Sequence, residues 1–457
     1  MASIIKRKSK YSVIYYYDDL DGEKRQRWET FDSHKEALKR KAEVECKIND
    51  GTFIPPTAQT VRDFLADFVS LYGEKKWGVS TYDSNCRLIE HYINPLIGEE
   101  PIQSINPMFV DKLYKKLEKT KAVETKYHKP KTEFVTAKTI EKIHKLLSCA
   151  FKQAVRWELL AKNPFELSDP PKTVYKKRDI WTAEMIRTAL NTCRDSKLYI
   201  AMNLSFACSL RVGEILGLTW DNVHISDAEI AADDAHVIID KELERASKNA
   251  IEVLDKKEIL FVFPSILSNT STRLVLKTPK TESSVRKVWL PKTVAYILRE
   301  WRDSQNEVKD FLGDEYTDYN LVVALPNGRP CENRVLQKEF GNLKKEAELP
   351  NVVFHSLRHS STTYKLKLNH GDLKATQGDT GHAQVDMITE VYSHILDEDR
   401  KINAQKFEAA FYSNPDLRDV APPKDSNTLD LQALITELQS NPDLAVALSQ
   451  ILSAQKT

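Results

Sequence analysis

The chain lacks the marks of several large protein classes. Its 457 residues contain no apolar run approaching the roughly 18–20 residues that a bilayer-spanning helix needs. The N-terminus, Met1-Ala2-Ser3-Ile4-Ile5-Lys6-Arg7-Lys8, has no apolar core of the secretory type. Six cysteines, at 46, 86, 149, 193, 208 and 331, are scattered and never fall as Cys-x-x-Cys, so reduced thiols in a cytosolic protein are expected. His355 and His359 have the i, i+4 spacing of a zinc-binding helix, but no glutamate follows His355 and no third ligand is evident, so no metal is expected. No internal repeat of solenoid period is found. Net charge is nearly absent too, at +1.

That neutral total hides an asymmetry. Between Lys112 and Arg178 there are 18 Lys/Arg against 7 Asp/Glu, and the first 17 residues carry four Lys/Arg and no acid. A basic block inside a neutral chain suggests a polyanion partner for that block, although a solvated helical surface has the same composition. The tail from Asn414 to Thr457 leans the other way, with six acids and three bases.

The length suggests about three domains, each able to bury its own core. Residues 1–50 read as a small α+β unit. Tyr11 to Tyr17 and Lys24 to Phe31 are strands joined by turn chemistry at Asp18-Asp19-Leu20-Asp21-Gly22, and Ser33 caps a helix running to Asn49. After the linker Gly51–Pro56, residues 58–170 read as all-α. Val61, Phe64, Leu65, Phe68, Val69 and Tyr72 line one helical face, and Thr139 to Trp157 repeats the pattern until Asn163-Pro164 stops it. The basic loop Lys121 to Lys138 is long for a bundle connection, so it is either functional or disordered. Residues 180–412 mix helices and short strands: helices at 182–193, 197–208, 294–311, 337–347, 360–368 and 384–392, and a strand at 285–290. Residues 227–272 are acidic and read as an irregular surface insertion. Residues 413–457 form a tail, with two short amphipathic helices spaced by leucines.

Five basic side chains and one tyrosine follow one another through the second half: Arg211, Lys280, His355, Arg358, His382 and Tyr392. Two arginines, a lysine and two histidines can neutralise a phosphate, and a tyrosine hydroxyl within reach can attack it. Singly, each is weak. Tyr392 is one of 17 tyrosines, Arg211 could pair with Glu214, and Lys280 could be a solvated turn lysine.

Jointly, the order, spacing and flanks resemble the tyrosine recombinases, the phage-integrase family. Leu210-Arg211-Val212-Gly213-Glu214-Ile215-Leu216-Gly217-Leu218-Thr219-Trp220 is similar to that family's first arginine box. Lys277-Thr278-Pro279-Lys280-Thr281, followed by Arg286-Lys287-Val288-Trp289-Leu290-Pro291, resembles its β-hairpin lysine segment, with Lys280 the better match and Lys277 its rival. His355-Ser356-Leu357-Arg358-His359 resembles the second box, and Gly381-His382 and Val391-Tyr392-Ser393-His394 the histidine and nucleophile boxes. Two departures stand out: Cys208-Ser209 where Thr-Gly is common, and Asp379-Thr380 where a leucine pair is common.

The resemblance implies a multidomain protein. Its parts are an α+β arm-binding domain at 1–50, an all-α core-binding domain at 58–170, a mixed α/β, mainly helical catalytic domain at 180–412, and the tail at 413–457. It implies cleavage of DNA through a 3′-phosphotyrosine and no cofactor. It further implies double-stranded attachment sites, a homotetramer on synapsed DNA, an excisionase and a host DNA-bending protein as accessory partners, and a cytoplasmic, nucleoid-associated protein that integrates and excises a mobile element. Two readings compete. One is a relaxing enzyme like type IB topoisomerases; the other is a DNA-binding regulator on a retired scaffold, against which the filling of all six positions argues.

Overall fold

The computed structural model describes residues 2–19, 22–124, 129–173, 179–265, 269–280, 284–369 and 372–380. The expectations for His382, Tyr392, the helix at 384–392 and the tail at 413–457 lie outside these residues. Among the described residues no helix is long and apolar enough to cross a membrane.

Three apolar cores organise what is described. The first is small. Strands β1 (Ser3–Arg7), β2 (Lys10–Asp18) and β3 (Lys24–Phe31) form an antiparallel sheet in that order, one strand more than the hairpin expected. Alternation along β2 sends Val13 and Tyr15 inward, where Ala37 and Val44 of helix α1 (His34–Asn49) meet them. The Ser33 hydroxyl caps that helix by accepting from the Glu36 N–H at 3.2 Å.

The second core belongs to a helical bundle of α2 (Val61–Phe68), α3 (Val79–Leu88), α4 (Pro107–Glu118) and α5 (Ala137–Arg156). Phe64, Phe68, Phe151 and Phe165 are fully buried in it. The apolar stripe read from Val61 to Tyr72 is one face, but the helix widens after Phe68 into a π-turn at Val69–Gly73. The loop after Lys119 is closed by backbone bonds, Ala122 N–H to the Glu133 carbonyl at 2.8 Å and Val135 N–H to that of Thr120 at 3.0 Å.

The third core is the largest. It gathers α6 (Ala183–Thr192), α7 (Ser196–Ala207), α8 (Val212–Gly217), strands β4 (Val223–His224) and β5 (His236–Ile239), and the elements after them. Two three-stranded sheets serve it. β5 lies between β4 and β9 (Arg286–Trp289) and pairs with both, while β6 (Glu242–Ser247), β8 (Thr272–Lys277) and β7 (Ile259–Val262) form the other, in the order β6-β8-β7. Helices α10 (Lys292–Leu312), α11 (Asn333–Glu346), α12 (His355–Leu368) and α13 (Leu373–Thr380) complete it.

Residues 227–272 are therefore not an irregular insertion. They supply β5, β6, β7 and a short helix, α9 (Lys248–Val253). Their acids obscured the alternating apolar positions. The apolar partners are also remote in sequence: Ala246, Ala250, Ile251, Leu254 and Val275 enter the core of the helical bundle. Asp83 of α3 fixes this junction, accepting from the Ser247 N–H at 3.0 Å and from its hydroxyl at 2.5 Å. Ser247 also caps α9 through the Ala250 N–H at 3.0 Å. Asp83→Ala removes both bonds across the junction. It should speed amide exchange at 79–88 and 247–254 by about tenfold, the equivalent of one net hydrogen bond, and leave 355–368 unchanged. Equal acceleration in all three segments, read by mass spectrometry, would refute a local junction.

Candidate active site

Helix α12 carries His355 and Arg358, and its composition is unusual for a helix. Ser356, Ser360, Ser361, Thr362 and Thr363 are all buried along it. Serine and threonine are poor interior helix formers because they bond to nearby backbone, and Thr362 does so, donating to the Arg358 carbonyl at 2.9 Å. What stabilises the helix is therefore its polar docking. The Ser360 hydroxyl accepts from the Trp181 N–H at 3.2 Å, the Tyr364 hydroxyl accepts from the Ala183 N–H at 2.9 Å, and Ser361 bonds Ser209 hydroxyl to hydroxyl at 2.6 Å.

Arg358 is one of the largest fully buried side chains described, at 1% exposure. Its guanidinium donates to the Ser209 carbonyl and, at 2.7 Å, to the Thr380 carbonyl. It therefore ties together the chain two residues before Arg211 and the chain two residues before His382. Burial, and then the positive charge of Arg211, push this guanidinium down to about 9; Glu214 opposes them and Arg286 adds to them.

Arg211 sits at the N-terminus of α8, a third exposed. Glu214 in the first turn accepts from its backbone N–H at 2.8 Å and from its guanidinium at 2.7 Å. The same carboxylate accepts from Arg286 at 2.9 and 3.2 Å. Glu214 is buried, which by itself would raise its pKa, but the bonds and charges of Arg286 and Arg211 outweigh burial and hold it below the usual carboxylate range. Two guanidinium groups thus bond one buried carboxylate, and that of Arg358 lies near enough to feel its charge. Helix α8 packs closely on β6, where a Cβ at Gly217 would come within 2.8 Å of the Glu242 and Leu243 backbone.

His355 opens α12, half-buried, its ring edge-to-face with His359 at 4.7 Å. Lys280 is exposed, three residues beyond the end of β8. Lys277 differs sharply. It is buried, and its ammonium contacts Glu242 at 3.0 Å and Glu244 at 2.9 Å. Burial disfavours its charge, but the two carboxylates prevail and its pKa is raised.

A sequence profile of the phage integrase family matches residues 181–399. Residues 181–399 belong to the phage integrase family. The recombinase is 25% identical over 293 residues to a tyrosine recombinase XerC-like protein of Caldanaerobacter subterraneus subsp. tengcongensis, covering 62% of this chain and 68% of that one. It is 22% identical over 274 residues to the ICEBs1 integrase of Bacillus subtilis, covering 59% and 65% respectively. Among solved structures, the Tn1549 transposon integrase in complex with a circular intermediate DNA matches with a TM-score of 0.57 at 20% identity, over 76% of this chain and 99% of that one. That likeness is one of fold.

Arg286 is not among the residues expected at the site; the signal for it is a charged residue opening a strand whose alternate positions are buried. Ser209 stands where the family commonly has glycine. The backbone explains the family's glycine: Ser209 has φ +57°, the left-handed region that disfavours side chains. Here burial, the bond to Ser361 and the carbonyl contact with Arg358 hold it there.

Proposed function

We infer that this tyrosine recombinase integrates and excises a mobile element through six groups: Arg211, Lys280, His355, Arg358, His382 and Tyr392. The observation that carries the reading is the pair of arginines, Arg211 and Arg286, on the one buried carboxylate of Glu214, with Arg211 a third exposed at its edge. A phosphodiester presents non-bridging oxygens of the kind an arginine fork binds. As the Tyr392 oxygen bonds to phosphorus, charge builds on the non-bridging oxygens, so contacts from Arg211, Arg358 and His382 strengthen in the transition state. His355 takes the phenolic proton. The bond to the 5′ oxygen breaks, and Lys280 gives that oxygen a proton. The 3′-phosphotyrosine conserves the ester, and the 5′ hydroxyl of another strand reverses the step without ATP.

Lys280 is the better donor because the charge of Lys277 is already engaged by two carboxylates. Lys280→Ala should slow cleavage of ordinary DNA by about 10²-fold or more. It should cost little on DNA with a 5′-bridging sulfur, which leaves without a proton. Lys277→Met should instead lower stability by about 1–3 kcal/mol and cleave normally per folded molecule. The reverse pattern in the two variants would exchange their roles.

The binding modules follow from charge and face. The side of the N-terminal sheet away from α1 presents Arg7, Tyr16 and Trp28, with the Arg7 guanidinium 4.5 Å from the Trp28 ring. We assign residues 1–50 to arm-type sites and residues 58–170, with the basic block, to core-type sites. Four copies would synapse two duplexes through a Holliday junction, aided by an excisionase and a DNA-bending host protein, in the cytoplasm at the nucleoid. The test is incubation with nicked DNA carrying a candidate attachment site, then mapping of the DNA-linked peptide. A 3′-linked peptide containing Tyr392 supports the reading; linkage elsewhere, or none, overturns it.

A further inference from the structure

We infer that Lys257 and Val275 are positioning residues for strand cleavage: acting from the helical bundle through strand β8, they set where Lys280 meets the departing 5′ oxygen. The inference rests on the recombinase reading above. β8 is gripped on both faces. Leu274 and Leu276 pack on the third core, while Val275 between them is fully buried in the core of the bundle, with Ala246, Ile251 and Leu254. Alternation along the strand puts these neighbours on opposite sides, so a single strand carries contacts to both cores. Its last residue, Lys277, is fastened to β6 by Glu242 and Glu244.

A second tether lies nearer the lysine. The chain leaves α9 through a turn at 255–258 and enters β7. Asp255, Lys256 and Glu258 have φ of +45°, +54° and +63°, the left-handed region that disfavours side chains. Such residues persist where their surroundings fix them, and backbone bonds do so here: Lys256 N–H to the Ile251 carbonyl at 2.9 Å, and Lys257 N–H to that of Leu254 at 2.9 Å. The turn reaches two ways. The Lys257 ammonium donates to the Lys75 carbonyl, in the segment leading to α3, at 2.6 Å. The Glu258 carbonyl accepts from the Thr278 N–H at 2.9 Å. Beyond Thr278 only Pro279 separates this bond from Lys280. Proline fixes its own φ and holds the residue before it extended. Lys280 therefore stands on a short, stiff arm whose root is fastened to the bundle. A bundle seated on core DNA would locate that arm against the duplex.

A purely stabilising role, joining two cores, predicts different chemistry. The discriminating probe is nicked DNA with sulfur in place of the 5′-bridging oxygen, a group that departs without a proton. We expect Lys257→Ala to cut ordinary DNA about tenfold more slowly than wild type, and Val275→Ala about 10²-fold, the scale of loss from a misplaced reacting group, with DNA binding retained. On the sulfur-bridged DNA both should approach the wild-type rate, as Lys280→Ala should. Adding Lys257→Ala to Lys280→Ala should slow cleavage of ordinary DNA no further, since the two act through one proton.

Lys257→Ala alters a side chain in a surface turn, and so remains testable if Val275→Ala does not fold. No loss on ordinary DNA, an equal loss on both DNAs, or losses that multiply in the pair would overturn the positioning role and leave the recombinase reading intact. A Lys280→Ala loss that sulfur does not repair would assign the proton to another donor, and the inference would fall with it. No covalent adduct from wild type on either DNA would overturn the recombinase reading itself.

Discussion

Arg358→Ala should lose strand cleavage and thermal stability together, while Arg211→Ala should lose cleavage almost alone. Both would remove a guanidinium that the proposed mechanism sets on the phosphate, so cleavage should fall by about 10²–10³-fold in each. Their cost to folding differs because their surroundings do. Arg358 is buried and donates to two carbonyls, those of Ser209 and Thr380. Truncating it leaves both without that donor and empties the space of a large side chain. Removing one member of such a network costs about 3–5 kcal/mol, or on the order of 10 °C in melting temperature for a domain of this size. Arg211 is a third exposed, and Arg286 still bonds Glu214 without it, so a loss within about 1 kcal/mol is expected. Thermal melts beside single-turnover cleavage of nicked DNA measure both quantities. An Arg358→Ala protein that melts with wild type would contradict the burial argument.

Tyr392→Phe should abolish the covalent intermediate while leaving DNA binding at wild-type strength. A phenyl ring has no oxygen to form the phosphate ester, and loss of a nucleophile removes about 10⁴-fold or more of the rate. The ring itself survives, so packing is little changed. Denaturing gels read the adduct, and mobility shifts at several salt concentrations read binding. An adduct at undiminished yield in this variant would reassign the nucleophile and, with it, the polarity of the break.

The local grammar of the chain was plain to read. Thr182 and Thr136 cap their helices through side-chain oxygens, and apolar residues at helical spacing enter the cores of α2 and α5. The elements expected at 182–193, 197–208, 285–290, 294–311 and 337–347 have limits within a few residues of those observed. Helix α12 was harder. Its start was expected at Ser360, because the serines and threonines of 356–363 carry no apolar rhythm; the structure begins it at His355, so that His355 and Arg358 share its first turns. Contacts from Trp181, Ala183 and Ser209, all remote in sequence, help to hold that polar helix. Residues 227–272 failed for the opposite reason. Their acids sit on the surface, and the apolar positions that matter face α3, more than 160 residues away.

Composition and order by themselves determined which candidate reactive groups this recombinase carries, where helices α1, α6 and α7 start, and that a basic block precedes those groups. Tertiary structure alone decided how those groups are shared out. It neutralised Lys277 and left Lys280 exposed, bent Ser209 into a glycine's conformation beneath Arg358, and set two arginines on one carboxylate. The physical reason is range. Caps and periodicity act over a few residues and leave local traces, whereas a buried charge takes whichever partner folding brings beside it, and no short pattern encodes that choice.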